Sequence, residues 1–489
     1  MMKKNHRQLH IIYNIAALLG LLSLAACKTP QATLPKDTIK ASLPVATSDT
    51  VSAIPVWRDF FQDETLRALI DTALNNNQDL KITLQEMAIA KSNILAKRGQ
   101  MLPSITANMS VGASKVGRYT ADGAGNVGTQ ITPGHNIPTV TPDIAPSLQL
   151  NWTIDLWNQL NSDKRAAVER YLASEDGQRT LKSQLVADVA ENYYSLLALD
   201  NKLDIMLQYI KLQQKAVQIA RVQKEADADT QLAVEKFEAE LAKASAEEYE
   251  LRQAITETEN NLNMLLGRYP TPILRNKENL MNKQVPTSLQ TIPTSLLLKR
   301  PDVVQAEHQL EAAKWDVDVA RKAFLPSLNV SASLGLDAFN PKYLLHLPKS
   351  LAFGVIGGLA APIINKKAIQ ANFDQANALQ LEALYNYDKV LLSAYSDMTT
   401  LQAKAHNLAQ YQALKVKQAD ALSKAVIAAQ QLYTYNRATY LEVLDSEREQ
   451  LDCQVELVDT QLRQLSTLID LYRGCLLYTS PSPRDGLLS

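Results

Sequence analysis

Residue types that point to particular kinds of site are scarce in this sequence of 489 residues. Its three cysteines are too few for the paired disulfides that stabilise small exported proteins. The six histidines are scattered, and His308 has no His or Cys at ligand spacing, so we expect a packed or solvated helix position there and neither a metal nor a cofactor. A formal net charge of -1 gives no electrostatic reason to expect a nucleic-acid partner.

Motifs of catalysis are missing as well. The sequence has no glycine-rich loop that could hold a phosphate and no set of Ser, His and Asp for nucleophilic chemistry, so we predict that the protein is not an enzyme. Glycine itself is scarce, at 16 residues, whereas Ala, Leu, Gln, Glu and Lys are abundant. This composition predicts a fold dominated by long helices.

The N-terminus has the features of an export signal. Three basic residues precede an apolar stretch over 11–26, which ends in small side chains and predicts a secretory signal peptide over residues 1–26. The stretch "LAAC" at 24–27 resembles a bacterial lipobox, so Cys27 is the expected lipidation site; an ordinary signal peptide with an incidental cysteine is the alternative. Residues 27–55, rich in Pro, Ser and Thr, are predicted to be a lipidated, extended tether.

One short pattern occurs twice in the chain, as "LPSITANMSV" at 102–111 and "LPSLNVSASL" at 325–334. In each copy apolar residues alternate with small polar ones, which is typical of a strand with one apolar face. After a loop, a second run follows each copy: "SLQLNWTIDLW", which alternates strictly, and the less regular "LAFGVIGGLAAPI". The sequence therefore predicts two β-hairpins, over 102–157 and 325–362.

Each predicted hairpin is followed by a very long helical pattern with apolar residues three or four positions apart. The first runs from about 163 to 222, and the second shows a heptad spacing from Leu384 to Leu408. At 1.5 Å per residue, each helix would be on the order of 90 to 100 Å long. Short breaks near Asp227 and Asn436 precede the returning helices.

These elements predict an internal duplication. The first repeat would cover residues 56–300 and the second residues 301–473, each with a shorter helix, a hairpin and two long helices. The long helices are expected over 163–267 and 365–473, and an equatorial segment over 268–300.

The four predicted strands constrain the assembly. Their alternation is that of an outer-membrane barrel, with an apolar face toward lipid and a polar face toward a lumen. Four strands cannot close a barrel, and a sheet with open edges cannot lie in lipid. We therefore expect a mostly α-helical chain with a small β part, in which three copies form a β-barrel of about twelve transmembrane strands above a coiled-coil α-helical barrel.

The chain resembles the outer-membrane factor family, the TolC-like channels of export pumps, over about residues 56–473. The resemblance is carried by "WRDFFQDETLRALIDTALNNNQDL", the paired "LPSI" and "LPSL" strand starts, "LNMLLGRYP", "YTYNRATYLEVLDSEREQL" and the block around "LLLKRPDVVQAEHQLEAAKWDVDVARKAFLPSL". Within that block, Arg300, Pro301 and Asp302 match a motif of the family.

This resemblance implies a homotrimeric channel in the bacterial outer membrane, lipid-anchored and projecting into the periplasm. It implies that the channel is a passive exit duct for drugs, toxic compounds or metals, and that its partners are a periplasmic adaptor and an inner-membrane pump of the resistance-nodulation-division (RND) class. Three alternatives stay open: a conduit for type I protein secretion, a periplasmic coiled-coil structural lipoprotein, and a trimeric surface adhesin.

The resemblance also implies a gate at the periplasmic tip. Tyr433 matches the tip tyrosine of the family, and Asn436 stands at a turn position where the family usually has Gly. Glu442 and Asp445 match two acidic positions that line the periplasmic aperture, and a spacing of three places them on one helix face. The alternative is that both are ordinary acidic residues of a first helical turn, favoured by the helix dipole.

The first tip, "VQKEADADTQLAVE", departs from the second. Sequence comparison pairs Val222 and Glu225 with Tyr433 and Asn436, and it pairs Gln231 and Val234 with the two acidic residues. We therefore expect the charged rings of a trimer to come from the second repeat only.

Residues 474–489, "GCLLYTSPSPRDGLLS", break the helical pattern abruptly. They resemble translated sequencing-adaptor DNA, so we expect an artefact or a disordered tail without function.

Overall fold

A computed structural model describes residues 30–32, 57–276, 280–281, 294–338, 340–362, 366–435 and 437–475. The predicted signal peptide, Cys27, Asn436 and residues 476–489 lie outside the described residues, as does most of the predicted tether.

The described chain is mostly helical, with few strands. In chain order the elements are α1 (Trp57–Phe60), α2 (Glu64–Asn76), α3 (Gln78–Gln100), β1 (Ser104–Ser114), α4 (Ala121–Gly128), β2 (Gln130–Thr132), β3 (His135–Asn136), β4 (Thr141–Ile154), α5 (Gln159–Glu225), α6 (Gln231–Leu265), a 3₁₀ helix (Thr294–Lys299), α7 (Pro301–Lys322), β5 (Ser327–Leu336), α8 (Pro341–Leu344), β6 (Leu351–Ala360), α9 (Lys367–Thr434) and α10 (Tyr440–Cys475). No helix among the described residues combines the length and apolarity needed to cross a membrane.

The chain divides into two compact units, and each takes segments from both predicted repeats. The described parts of 89–171 and 308–384 belong to the unit that contains the strands. The described parts of 57–88, 172–307 and 385–475 form a helical unit.

The strand unit contains an antiparallel sheet in the order β1-β4-β5-β6. Its register places apolar residues side by side on one face; one such row is Ile105, Leu150, Ala332 and Val355. The neighbouring row, Thr106, Gln149, Ser333 and Gly354, lies on the opposite face. The predicted alternation is therefore preserved across four strands. β1 and β6 pair with one strand each among the described residues, so both outer edges of the sheet are open.

The core of the helical unit joins the first helices of the chain to the last one. Asp63 caps α2 by accepting hydrogen bonds from the backbone nitrogens of Thr65 (3.0 Å) and Leu66 (3.2 Å), and the Tyr193 hydroxyl donates to its Oδ2 at 3.1 Å. The Phe60 ring stacks on Tyr472 of α10 with centroids 4.0 Å apart. Fully buried side chains from α2, α5 and α10 fill the space between: Leu66, Ile70, Tyr193, Leu196, Leu197, Ile469 and Tyr472.

The motif formed by Arg300, Pro301 and Asp302 is the start of α7. Pro301 occupies the first helical position, where its missing N–H costs nothing, and the Arg300 carbonyl accepts from Val304 N at 2.9 Å. The Arg300 guanidinium donates to both carboxylate oxygens of Asp302, at 3.1 and 2.8 Å. Asp302 also accepts from Val303 N at 2.9 Å. In this chain the three residues make the contacts of a helix cap.

Gly267 ends α6 in a conformation that requires glycine. Its φ is +65°, and Arg268 N donates to the Asn263 carbonyl at 3.1 Å, as in a helix end closed by a left-handed residue. A β-carbon at Gly267 would clash with the carbonyl oxygen of Asn76.

We expect Gly267→Ala to destabilise the protein by about 1–3 kcal/mol, because it combines a strained φ with a backbone clash. Gly99→Ala is the control, since a β-carbon at Gly99 meets nothing within 4 Å and alanine favours helix. Thermal unfolding followed by far-UV circular dichroism measures both. Equal unfolding midpoints for the two variants would contradict the assigned role of Gly267.

Candidate gate at the ends of the long helices

Two short turns of similar construction end the long helices of the helical unit. The turn after α5 is closed by a hydrogen bond from Ala228 N to the Gln223 carbonyl at 2.8 Å, with Asp227 at φ +51°. The turn after α9 has the equivalent bond, from Arg437 N to the Leu432 carbonyl at 2.8 Å. Such a bond satisfies a carbonyl that would otherwise be left over at a helix end.

The helix starts fix which residues of the two turns correspond. Thr230 precedes α6 and accepts from Ala233 N, and Thr439 holds the same place before α10. Glu442 therefore corresponds to Ala233, and Asp445 to Lys236. Pairing by sequence with Gln231 and Val234 was wrong by two residues, because it followed side-chain pattern and not the caps. The acidic pair is still confined to the second turn.

Tyr433 ties the two turns together. Its ring is buried against Phe237, and its hydroxyl donates to Asp229 Oδ2 at 2.6 Å. The Gln223 side chain donates in turn to the Tyr433 carbonyl at 3.3 Å. Burial raises the pKa of Tyr433, and the hydrogen bond to the Asp229 carboxylate raises it further, so the hydroxyl stays a donor. Asp229 was not singled out from the sequence.

Glu442 closes a capping box at the start of α10. Its Oε2 accepts from the backbone nitrogen of Thr439 at 2.6 Å and from the Thr439 hydroxyl at 3.0 Å. The backbone bond first, and then the hydroxyl bond, lower the pKa of Glu442. The contacts of Glu442 are thus those of a helix-start residue.

Both acidic side chains are nevertheless exposed. Glu442 and Asp445 lie on the solvent side of the first turns of α10, three residues apart and hence on one face. Because both hydrogen bonds from Thr439 end on one oxygen of Glu442, the cap and an exposed negative charge are compatible. The two sequence interpretations of this residue therefore do not exclude each other.

One to two turns further along α10 lies a buried carboxylate, Glu447, which is 1% exposed. Its two oxygens accept from the amide nitrogens of Gln213 on α5 and Gln430 on α9, each at 2.8 Å. Burial raises the pKa of Glu447; the two amide bonds oppose this shift, and the nearby charge of Glu240 adds to it. Buried hydrogen bonds to Glu447 therefore link three helices, α5, α9 and α10.

The neighbouring carboxylate, Glu240 on α6, has the opposite shift. Burial acts to raise its pKa, but an ion pair with Arg448 and a hydrogen bond from the Tyr209 hydroxyl at 3.1 Å outweigh burial and lower it. Glu240 therefore stays charged while Glu447, which has no cation among the contacts described, is held toward its neutral form.

Sequence reasoning missed the partners of the tip residues. The pattern Thr439-x-x-Glu442 is a capping-box signal that could have been read directly. Gln213, Gln430 and Glu447 lie in heptad-like stretches and carry no local signal, because their contact joins distant parts of the chain.

A sheet that is apolar on one face and polar on the other, combined with helices of 67 and 68 residues that end in capped turns, fits the class of outer-membrane export channels. The chain belongs to the outer membrane efflux protein family, whose model matches residues 69–268 and 292–474. The family, the mostly helical fold with a small β part and the outer-membrane location predicted from the sequence are thus confirmed.

Individual relatives agree with this assignment over most of their length. The solvent efflux pump outer membrane protein SrpC of Pseudomonas putida is 28% identical over 428 residues, which are 86% of this chain and 87% of that protein. The probable outer membrane lipoprotein SilC of Salmonella typhimurium is 26% identical over 415 residues, or 84% and 86% of the two chains. The crystal structure of the Campylobacter jejuni CmeC outer membrane channel has the same fold, with a TM-score of 0.78, 19% identity and coverage of 94% and 97%.

Removing the Tyr433 hydroxyl should loosen both turns. Tyr433→Phe loses one hydrogen bond, worth about 1 kcal/mol, and we expect faster amide hydrogen exchange in residues 222–230 and 437–443. Tyr435→Phe is the control, because this side chain is exposed. Unchanged exchange in the Tyr433 variant would show that the bond to Asp229 does not restrain the turns.

Glu447 should make stability depend on pH. Because its pKa is raised on folding, stability is complete below the unfolded-state pKa and is lost as pH rises through the higher folded-state pKa. Glu447→Gln should remove this loss. It should also stabilise the protein by about 1–3 kcal/mol at neutral pH, because Gln213 Oε1, buried without a partner among the described residues, can turn to accept from the new amide.

Melting temperatures of the purified protein between about pH 5 and pH 8 test this prediction. Glu442→Gln is the control, because the lowered pKa of Glu442 places its loss of stability below the ordinary glutamate pKa of 4.5, so its profile over this range should run parallel to that of the wild type. Parallel pH profiles for the wild type and the Glu447 variant would rule out the assigned role.

Proposed function

We propose that the chain is one subunit of a homotrimeric exit duct of a tripartite efflux system. The observation that carries this proposal is the sheet with two open edges. Unpaired backbone groups cost several kcal/mol each in lipid, so β1 of one copy must pair with β6 of the next. Three copies of four strands would close a barrel of about twelve.

The exposed apolar face supports a position in lipid. Leu148, Leu334 and Phe353 lie on it and are 50%, 52% and 77% exposed in the single chain. The strands contain 10 to 14 residues, which is the length that a tilted strand needs to cross the hydrocarbon region. Lipidation at Cys27 would add an anchor to this insertion.

A groove at the tip supports an adaptor as partner. It has a volume of about 310 Å³ and is lined by residues of α5, α6, α9 and α10. The lining is mixed: apolar side chains such as Leu212, Ile219 and Ile427 stand beside polar ones such as Lys215 and Gln431. An amphipathic helix of a periplasmic adaptor would fit such a groove. The adaptor would in turn connect the duct to an inner-membrane pump of the RND class, which supplies the energy and selects the substrate.

The duct itself would be passive and not an enzyme, and its cargo would be small molecules such as drugs, toxic compounds or metals. In this proposal residues 56–300 and 301–473 are two repeats that each supply one hairpin and one pair of long helices. A conduit for type I protein secretion shares this architecture and is the second candidate. A structural lipoprotein is disfavoured, because it gives no reason for a two-faced sheet with open edges.

Glu442 and Asp445 would form two stacked carboxylate rings around the aperture, one of each residue from every subunit. Rings of carboxylates attract cations to a constriction, and salt screens them over about 10 Å at 0.1 M. Tyr433 would hold the turns in the closed position through its bond to Asp229.

Single-channel recording in planar bilayers tests the function and the gate together. We expect the wild type to form a small, cation-selective pore at low salt. The double variant Glu442→Gln, Asp445→Asn keeps the capping box, since Gln also serves in it, and should be about tenfold less cation-selective with a larger conductance.

The matched control is Glu247→Gln with Glu250→Gln, two carboxylates at the same spacing on α6. If both pairs of substitutions change the selectivity equally, the gate assignment is wrong, but the chain still forms a duct. Failure of the wild type to form a pore would remove the duct and favour the structural lipoprotein. Transport of small dyes, but not of unfolded polypeptide, by cells that express the complete system would separate efflux from protein secretion.

A further inference from the structure

β4 alternates between a polar and an apolar face over its 14 residues, and Ala145 is its one apolar residue on the polar face. The face that it shares with the polar rows carries, from the first residue, Thr141, Asp143, Ala145, Ser147, Gln149, Asn151 and Thr153. The opposite face carries Pro142, Ile144, Pro146, Leu148, Leu150, Trp152 and Ile154. Across β1, β4, β5 and β6, all of them within the described residues, Asp143 is the one ionisable side chain.

Asp143 lies at one particular end of the sheet. β4 ends at Ile154, and α5 begins at Gln159, so the end near Thr141 is the one that is not joined to a long helix. The segments beyond it are the connections between strands, over 115–140 and 337–350.

The surroundings of Asp143 leave its carboxylate open to the polar face. Its cross-strand partner on β1 is Gly112, at which a β-carbon would meet nothing within 4 Å. The side chain is exposed, and no hydrogen bond or ion pair with the rest of the described chain engages it. The diagonal neighbours on this face, Ser110 and Ser114, are small and uncharged.

We propose that Asp143 is a selectivity-determining residue at the outer mouth of the channel, where three copies form a carboxylate ring that draws in cations, above all polyvalent ones. The proposal rests on the trimeric duct proposed above, in which the polar face lines the lumen. Hard multivalent cations prefer carboxylate oxygens, and a ring of three in a neutral wall would be the strongest local attraction for them.

The rest of the lining contributes no competing charge. On this face the strands carry hydroxyls and amides that bond to one another, as Thr153 Oγ1 does with Asn329 Oδ1 at 2.9 Å and Asn108 Nδ2 with Gln149 Oε1 at 3.2 Å. Basic residues occur only beyond the strands, in the connections, as at Lys115 and Arg118. The carboxylate ring would thus be the first fixed charge inside the lumen.

The proposal can be tested by measuring how a trivalent cation blocks the channel when it is added to one side of the bilayer. Hexamminecobalt(III) is added to one compartment at a time during single-channel recording of the full chain at about 0.1 M salt, where screening extends over about 10 Å. We expect Asp143→Asn to raise the half-blocking concentration at least about tenfold from the side of the strand connections and to leave block from the other side unchanged. Asp143→Glu should restore block.

Asp122→Asn is the matched control, because Asp122 is exposed and belongs to α4, outside the sheet. The double variant Glu442→Gln, Asp445→Asn should lose block from the opposite compartment. This result would identify, independently of Asp143, which compartment faces the helical turns. Undiminished block in Asp143→Asn, or loss from the same compartment as in the double variant, would overturn the proposal while the duct stands. A chain that forms no pore would overturn both.

Discussion

The open edges of the four-stranded sheet are the constraint on which the rest of the structure depends. β1 and β6 each leave one row of backbone N–H and C=O groups without a strand partner in the described chain, and lipid offers no water to satisfy them. In the proposed duct the chain would therefore be repeated around an axis. The long helices would take on the same symmetry, since α5 and α9 follow β4 and β6 within a few residues.

A channel must also avoid binding tightly the solutes that pass through it. The polar face of the sheet meets this need by satisfying itself: Asn151 Oδ1 accepts from the Ser331 hydroxyl at 3.1 Å, as other amides and hydroxyls pair across the strands. Groups that are already paired offer a solute little net gain in hydrogen bonding. Fixed charge is confined to Asp143 within the sheet, so attraction is concentrated at one end of the strands and does not extend along them.

How much could be predicted from the sequence depended on whether the signal was local. Strand alternation needs only neighbours, so the predicted hairpins over 102–157 and 325–362 contain the observed β1, β4, β5 and β6. Long helices were equally accessible, because their apolar spacing repeats many times. The contact between Tyr433 and Asp229 had no such signal, since it joins residues 204 positions apart through one hydrogen bond. The predicted pairing of residues between the two turns was wrong because caps, and not side-chain patterns, define where a helix begins.

Within α10, two carboxylates have pKa values shifted in opposite directions. Glu442 is exposed and holds its charge through the Thr439 bonds, whereas Glu447 is buried between two amides and takes up a proton more readily. As pH falls, Glu447 is therefore neutralised first. The contact between α5, α9 and α10 then loses its buried charge, while the exposed charge of Glu442 remains. A protonated Glu447 can donate to Gln213 Oε1 once that amide turns, which gives this buried acceptor a partner. Acid thus strengthens the helix packing behind the turns before it discharges Glu442.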